Sequence, residues 1–265
     1  MSKYYRTILS SSTVSYEPEL QAVFNFATLH GITIPNATVR NILNQKMIAM
    51  KAGNFWTNID SYFNFCYNDI SLVQFGLIDW KRLALGSFNG GLTYTVNGIV
   101  GDGSSGYFDT TFNPTLHGVK YTLTDASKGF VRAVSPNMGA NPHLMGISTS
   151  TSSESIRSSA TTIQSINAGG NQINASVTLS GTGLISANRS NNDVIFYKSN
   201  VQFSRTGIYT SLVNTNFHLL RGGTSFCPYC LSSTWFGAYL SQTINENYRV
   251  LYNNYLISIG LSAIA

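Results

Sequence analysis

Charge is what this chain has least of. Only 10% of its 265 residues are Asp, Glu, Lys or Arg, against about 25% in an average soluble protein. Sixteen basic and eleven acidic residues leave a net charge of +5. The basic residues are scattered, and Lys81-Arg82 is their one adjacent pair. A nucleic-acid interface needs them gathered on a face or groove, so no nucleic-acid partner is expected. Long apolar runs are missing as well. None reaches the roughly 18–20 residues of a membrane span, and no membrane partner is expected. The opening MSKYYRTILSSSTVSYEPEL has no apolar core like that of a secretory signal. Synthesis and folding in a cytoplasm follow as the expectation.

Cysteine and histidine are also scarce. Cys66, Cys227 and Cys230 are too few, and odd in number, for a disulfide framework. A one-site zinc centre needs four ligands, and beyond the cysteines there are only the isolated His30, His117, His143 and His218. No metal and no cofactor are expected. Cys227-Pro228-Tyr229-Cys230 has the C-P-Y-C form of a glutaredoxin active site. That chemistry requires a low-pKa thiolate at a helix N-terminus after a βαβ start. Here the motif lies near the C-terminus between β-like segments, which favours a loop pair of thiols, reduced or closed into a small ring.

Acids are too sparse for an obvious hydrolase. No two alternate along one strand of the β region as a glycosidase pair would, and no G-x-S-x-G elbow is present. Gly101-Asp102-Gly103-Ser104-Ser105-Gly106 lacks the Lys-Ser/Thr and the helix of a phosphate loop. It reads as a glycine-rich hairpin turn, with Asp102 and Asp109 as weak Ca²⁺ candidates and better hydrogen-bond acceptors. No catalytic residue is assigned.

What the chain does have is 43% hydrophobic residues, enough for a sizeable core, under a surface of Ser, Thr, Asn and Gly. Such a surface suits a protein packed into an assembly or facing outward. Helical spacing marks Glu17–Gly31, with Leu20, Val23, Phe24 and Ala27 on one face. It marks a second helix from Asn36 or Ala37 to Lys51, with Asn36 as N-cap. The aromatic segment Phe55–Phe65 reads as a third. Leu77–Pro114 is where helical spacing gives way to alternation. Short β-runs follow at 93–96, 107–110, 119–123 and 129–134, separated by Gly90-Gly91, Asn97-Gly98, Asn113-Pro114 and Pro136-Asn137.

The Ser/Thr/Asn-rich stretch 146–192 invites a reading of disorder. Its recurrent Ile156, Ile163, Ile166, Ile173, Val177, Leu184 and Ile185 argue instead for strands with one solvated face. A hairpin is expected around Lys198-Ser199-Asn200, strands at 217–221 and 235–240, and a terminal helix over 244–259. The fold class is therefore mainly β, a sandwich with an α-helical N-terminal region and a C-terminal helix. The expected division is a helical attachment region, 1–85, and a β-sandwich, 86–265. Its core would hold Val96, Phe108, Tyr121, Phe130, Ile195, Phe203 and Phe236.

The order Phe55-Trp56-Thr57-Asn58-Ile59-Asp60, Phe75-Gly76-Leu77-Ile78-Asp79-Trp80-Lys81, the turn through Gly101–Thr110, and Phe112-Asn113-Pro114 resembles virion structural proteins of tailed bacteriophages. Those of phages of Bacteroidota hosts, crAss-like ones included, are notable among the proteins it resembles. Val194–Asn200 is similar to that family's strand-turn hairpin, and Trp235–Leu240 with Leu251-Tyr252 to its final strand and terminal helix. The Cys227/Cys230 insertion departs from the pattern. The resemblance implies a concanavalin A-like (laminin G-like) jelly roll and a non-enzymatic particle protein of head-fibre or capsid-decoration type. Its location would be the virion. Its implied partners are other virion proteins of capsid or tail, and its implied state a homo-oligomer, a trimer. A second reading is a carbohydrate-binding receptor module of a tail fibre or baseplate, which predicts Tyr or Trp beside Asn or Asp on a sheet. Tyr94, Tyr107, Tyr121 and Tyr209 are the candidate contacts to a host surface glycan or protein partner. A third reading is a polysaccharide depolymerase.

Overall fold

A computed structural model describes residues 15–133, 143–148, 153–159, 162–167, 171–175, 181–191, 193–198, 201–206 and 211–264. Helix α1, Pro18–Leu29, starts on a proline whose missing N–H costs nothing at that position. It buries Leu20, Val23, Phe24 and Ala27. Helix α2, Ala37–Ala52, is capped by Asn36, whose side chain accepts from the Val39 N–H at 3.0 Å. Helix α3, Gln242–Ser258, is capped by Ser241 and buries Tyr248, Tyr252, Tyr255 and Leu256. These helices form one layer, joined by Lys51 bridging Glu17 and Glu19 at 2.6 and 3.0 Å.

Thirteen strands make the two main antiparallel sheets. They are β1 Ile59–Asn64, β2 Ser87–Asn89, β3 Tyr107–Asp109, β4 Asp125–Arg132, β5 His143–Ser148, β6 Ser153–Ser159 and β7 Thr162–Asn167. The remainder are β8 Asn171–Ala175, β9 Gly183–Ser190, β10 Asp193–Lys198, β11 Val201–Thr206, β12 His218–Leu219 and β13 Ser233–Gly237. Six pair in the order β1-β13-β4-β9-β10-β11, and seven in the order β8-β7-β6-β5-β12-β3-β2. The sheets stack through Phe63, Phe130, Ile185 and Phe236 on one side and Phe108, Met145, Ile156 and Leu219 on the other. The opposite face of the six-stranded sheet, with Tyr62, Val131, Leu184 and Trp235, packs on the helices. That sheet is thus covered on both faces, which is why every residue of β4 after Asp125 is buried.

Several expectations are corrected. Phe55–Phe65 is not a third helix. Asn54 sits at φ 58, a left-handed conformation that ends the preceding helix. A single 3₁₀ turn over Trp56–Asn58 then leads into β1. In β1, Tyr62 and Asn64 face the helices and Phe63 faces the other sheet. A border at residue 85 therefore does not separate two cores. β1 pairs with β13, and α1, α2 and α3 share one apolar cluster with residues of the six-stranded sheet. Residues 119–123 form no strand. The Asp60 carboxylate takes the N–H groups of Val119, Lys120 and Tyr121 at 3.0, 2.8 and 2.8 Å, leaving no ladder for them. Val96 and Ile195 are half-buried and do not belong to the core. The side chain of Phe203 lies outside the described residues.

The hairpin of β10 and β11, the described strands within 146–192 and the terminal helix stand as read; Val177 and the turn residues 168–170 lie outside the described residues. Among the described residues no helix is long and apolar enough to cross a membrane.

Candidate functional site

The outward face of the seven-stranded sheet gathers polar and aromatic groups at one place. Alternation in β3 turns Phe108 into the core and sends Tyr107 and Asp109 outward; in β12, Leu219 goes in and His218 out. His218 pairs with Asp109 across the ladder. The hairpin 221–226, pairing Arg221 with Phe226, adds two side chains beside them. Arg221 lies 4.5 Å from the Tyr107 ring centroid and 5.4 Å from that of Phe226. The His218 ring stands 4.9 Å from Tyr107. Asp109 accepts from the Asn216 amide at 3.3 Å and lies 4.0 Å from His218 Nε2. All six side chains are half-buried. They are held by the fold yet reach solvent.

Two turns frame this patch. Asp102 Oδ1 accepts the N–H groups of Ser104, Ser105 and Gly106 at 2.9, 2.8 and 2.7 Å. Those N–H groups, Ser105 first, hold its carboxyl far below the usual range. Asp102 is therefore fully occupied by its own turn and has no coordination to offer a cation. Gly101 and Gly103 press that turn against Cys227 and Pro228, where any side chain would meet neighbouring atoms. On the far side Gly222 closes on His143, and a Cβ there would fall 2.0 Å from the imidazole. Burial lowers the His143 pKa to about 4, helped by Arg157. Burial also lowers that of His218, against the pull of Asp109. Both rings favour the neutral form, which can donate and accept hydrogen bonds.

The four sequence-predicted tyrosines do not gather. Tyr107 is in the patch. Tyr94 belongs to a separate small sheet, with its hydroxyl buried and its ring packed into both apolar clusters. Tyr121 is wholly buried and is withdrawn as a contact. It donates to Glu154, which is also paired with Arg189 at 3.0 Å and Lys128 at 3.3 Å between the sheets. Tyr209 lies outside the described residues. Asn216, His218 and Arg221 escaped sequence reasoning because Tyr107 is far from them in the chain. Only the β3–β12 pairing unites them.

Cys227 and Cys230 are both free and buried, and Cys230 lies in a short strand paired with 98–100. Burial pushes the Cys230 thiol up to about 12, the opposite of what a redox thiolate needs. Among the described residues no group of His, Cys, Asp and Glu could hold a metal ion.

No family model and no curated protein matches the chain. Solved structures do match it in fold. A botulinum neurotoxin type C structure, a protein whose cell entry depends on two ganglioside molecules, aligns at TM-score 0.54 and 13% identity. It covers 72% of this chain and 51% of its own. Trypanosoma rangeli sialidase, bound to 2,3-difluorosialic acid, aligns at 0.53 and 6% over 78% of this chain and 38% of its own. Domain 4 of AbnA, an extracellular arabinanase of Geobacillus stearothermophilus in complex with arabinotriose, aligns at 0.50 and 14%. It covers 72% of this chain and 98% of its own. The chain thus spans about half or less of the toxin and the sialidase. At these identities the likeness establishes the fold alone, a mainly β antiparallel sandwich of the class the sequence predicts.

Proposed function

We propose that this protein is a non-enzymatic β-sandwich module that contacts carbohydrate through the outward patch around Tyr107. The observation that carries the reading is the convergence of Tyr107, Asp109, Asn216, His218 and Arg221 on one half-exposed sheet face. Sugars are bound by such mixtures. Carboxylate, amide and guanidinium groups take the hydroxyls, and an aromatic body takes the C–H face. The glycan ligands of the neurotoxin and the arabinanase domain support the same reading. The bacteriophage resemblance supports a setting for it, a virion protein of head-fibre, decoration or tail-fibre type acting as a trimer.

Glycan-array and titration binding of the full chain should give a defined saccharide ligand. Arg221→Ala and Tyr107→Ala should each weaken it tenfold or more while the thermal midpoint stays put. No binding to any glycan, or binding untouched by both substitutions, overturns the reading. A reducing-end assay on the bound polysaccharide should stay flat; release of new ends would make the protein a depolymerase.

One observation favours a purely structural second reading. The helical layer leaves Leu29, Ile48, Val250 and Ile257 exposed, apolar side chains that docking on a particle would cover. Incorporation into particles with no glycan bound would favour that role.

A further inference from the structure

Lys46 is buried to 3% exposure in the middle of the helical layer. Its Nζ donates to Asn64 Oδ1 at 2.7 Å. The rings of Tyr255 and Tyr252 stand 3.9 and 4.4 Å from it, and those of Tyr62 and Trp80 lie beyond. Among the described residues no carboxylate pairs with it. An ammonium ion in such a place loses its hydration and gains only ring faces and one amide oxygen, so the neutral amine is favoured. Burial accordingly holds the lysine well below its ordinary pKa. A neutral lysine amine is a nucleophile.

Its partner is set up as an electrophile. The Tyr252 hydroxyl lies 3.2 Å from Asn64 Oδ1 and 2.9 Å from the Ser232 carbonyl oxygen, and its one proton is shared between them. Asn64 Nδ2 donates to the Tyr255 hydroxyl at 3.0 Å and to the Cys66 carbonyl at 3.2 Å. The carbonyl carbon lies one bond from the oxygen the lysine already touches. A groove of about 320 Å³ between α2 and α3 has Lys46, Tyr255, Ala49 and Leu251 in its lining.

We propose that Lys46 and Asn64 join in an intramolecular isopeptide bond, tying helix α2 to strand β1 after folding. The Nζ lone pair adds to Cγ of Asn64. Negative charge moves onto Oδ1, where the Tyr252 hydroxyl stabilises it as an oxyanion donor would. A proton passes from Nζ to Nδ2 within the tetrahedral adduct. The Cγ–Nδ2 bond breaks, ammonia leaves, and an Nζ–Cγ amide remains. One amine and one amide become one amide and one ammonia, so no oxidant or co-reactant is consumed. Fixed proximity supplies the acceleration, since well-oriented groups in contact reach effective molarities of about 10⁵–10⁸ M.

The test is the mass of the purified full-length chain. It should fall one ammonia short of the sequence. A digest should give a branched peptide joining the Lys46 and Asn64 segments. Lys46→Arg should restore the full mass, and Asn64→Asp, which gives the lysine a carboxylate that keeps it charged, should likewise leave the chain at its full sequence mass. Tyr252→Phe should slow the reaction about a hundredfold, seen as chain that keeps its full mass after synthesis. A wild-type chain at full sequence mass, with Lys46 and Asn64 recovered on separate peptides, overturns the proposal whatever the variants do. So does an ammonia loss mapped to another pair.

Discussion

Among the described residues two lysines are buried, and their surroundings differ. Lys128 sits between the sheets, 3.3 Å from Glu154, with Arg189 on the same carboxylate at 3.0 Å. Lys46 sits between a sheet and the helices, with an amide oxygen and tyrosine rings and no carboxylate. Burial lowers both lysines. Glu154 opposes the fall for Lys128, which comes to about 8 and stays largely charged at neutral pH. A weak coulombic pull from Cys66 is all that opposes it for Lys46. One site is built to hold a charge and the other to relinquish one, and chemistry is available only at the second.

The sharpest way to break this contrast is to remove the carboxylate. Burial works to raise the Glu154 pKa, but Arg189 and Lys128 override it and hold Glu154 ionised. Glu154→Gln would leave two buried cations without their anion, a loss of about 3–5 kcal/mol measured by denaturant unfolding. A loss below about 1 kcal/mol would show that the cluster is not closed to water.

Alkaline pH probes the two sites together with the thiols. Burial raises Cys66 and Cys230 to about 12, and Cys227 further. Unfolded thiols titrate near 8.5. Above that pH the unfolded chain sheds protons that the folded chain keeps, so the stability these thiols contribute is intact below about 8.5 and declines toward about 12. Lys128 acts in the opposite sense, gaining stability between about 8 and its unfolded value near 10.4. Lys46, lowered as well, acts in the same sense as Lys128, and three thiols outweigh the two lysines. Stability should therefore fall above about pH 8.5, by about 1.4 kcal/mol per pH unit for each net proton. Unfolding midpoints under reducing conditions that rise over this range would contradict it.

The smallest expected effect tests how the rings around Lys46 act. Tyr255→Phe keeps the ring beneath Nζ and deletes the hydroxyl that bonds the Cys66 carbonyl. It should cost about 1 kcal/mol, whereas Tyr255→Leu, which also removes the ring, should cost several times more in the same melts.

Much of the fold was legible in local pattern. Asn36 before a 3- and 4-residue apolar repeat, and Pro18 and Gly31 around another, announced α1 and α2 because caps and periodicity act within a turn. The Ile-bearing Ser/Thr stretch announced strands because a sheet with one solvated face must alternate. Reading failed where a distant group intervened. Asp60 captures the backbone of 119–121 and cancels a plausible strand. Phe55–Phe65 has apolar residues that fit either period, and pairing with β13 decides for the strand. Of the candidate site, Tyr107 was legible as an aromatic in a β-run. Tyr121 had the same signature and went to the core, because Glu154 and Arg189 lie across the sandwich from it.

The sequence alone therefore determined the elements, their caps, the weak surface charge and the mainly β class. Each of these depends on neighbours a few residues apart. Tertiary structure decided which lysine met a carboxylate and which an amide, and which tyrosines faced solvent. It also decided that Asn216, His218 and Arg221 would stand beside Tyr107. Those outcomes depend on strand order and on the stacking of layers, which bring together side chains more than a hundred residues apart.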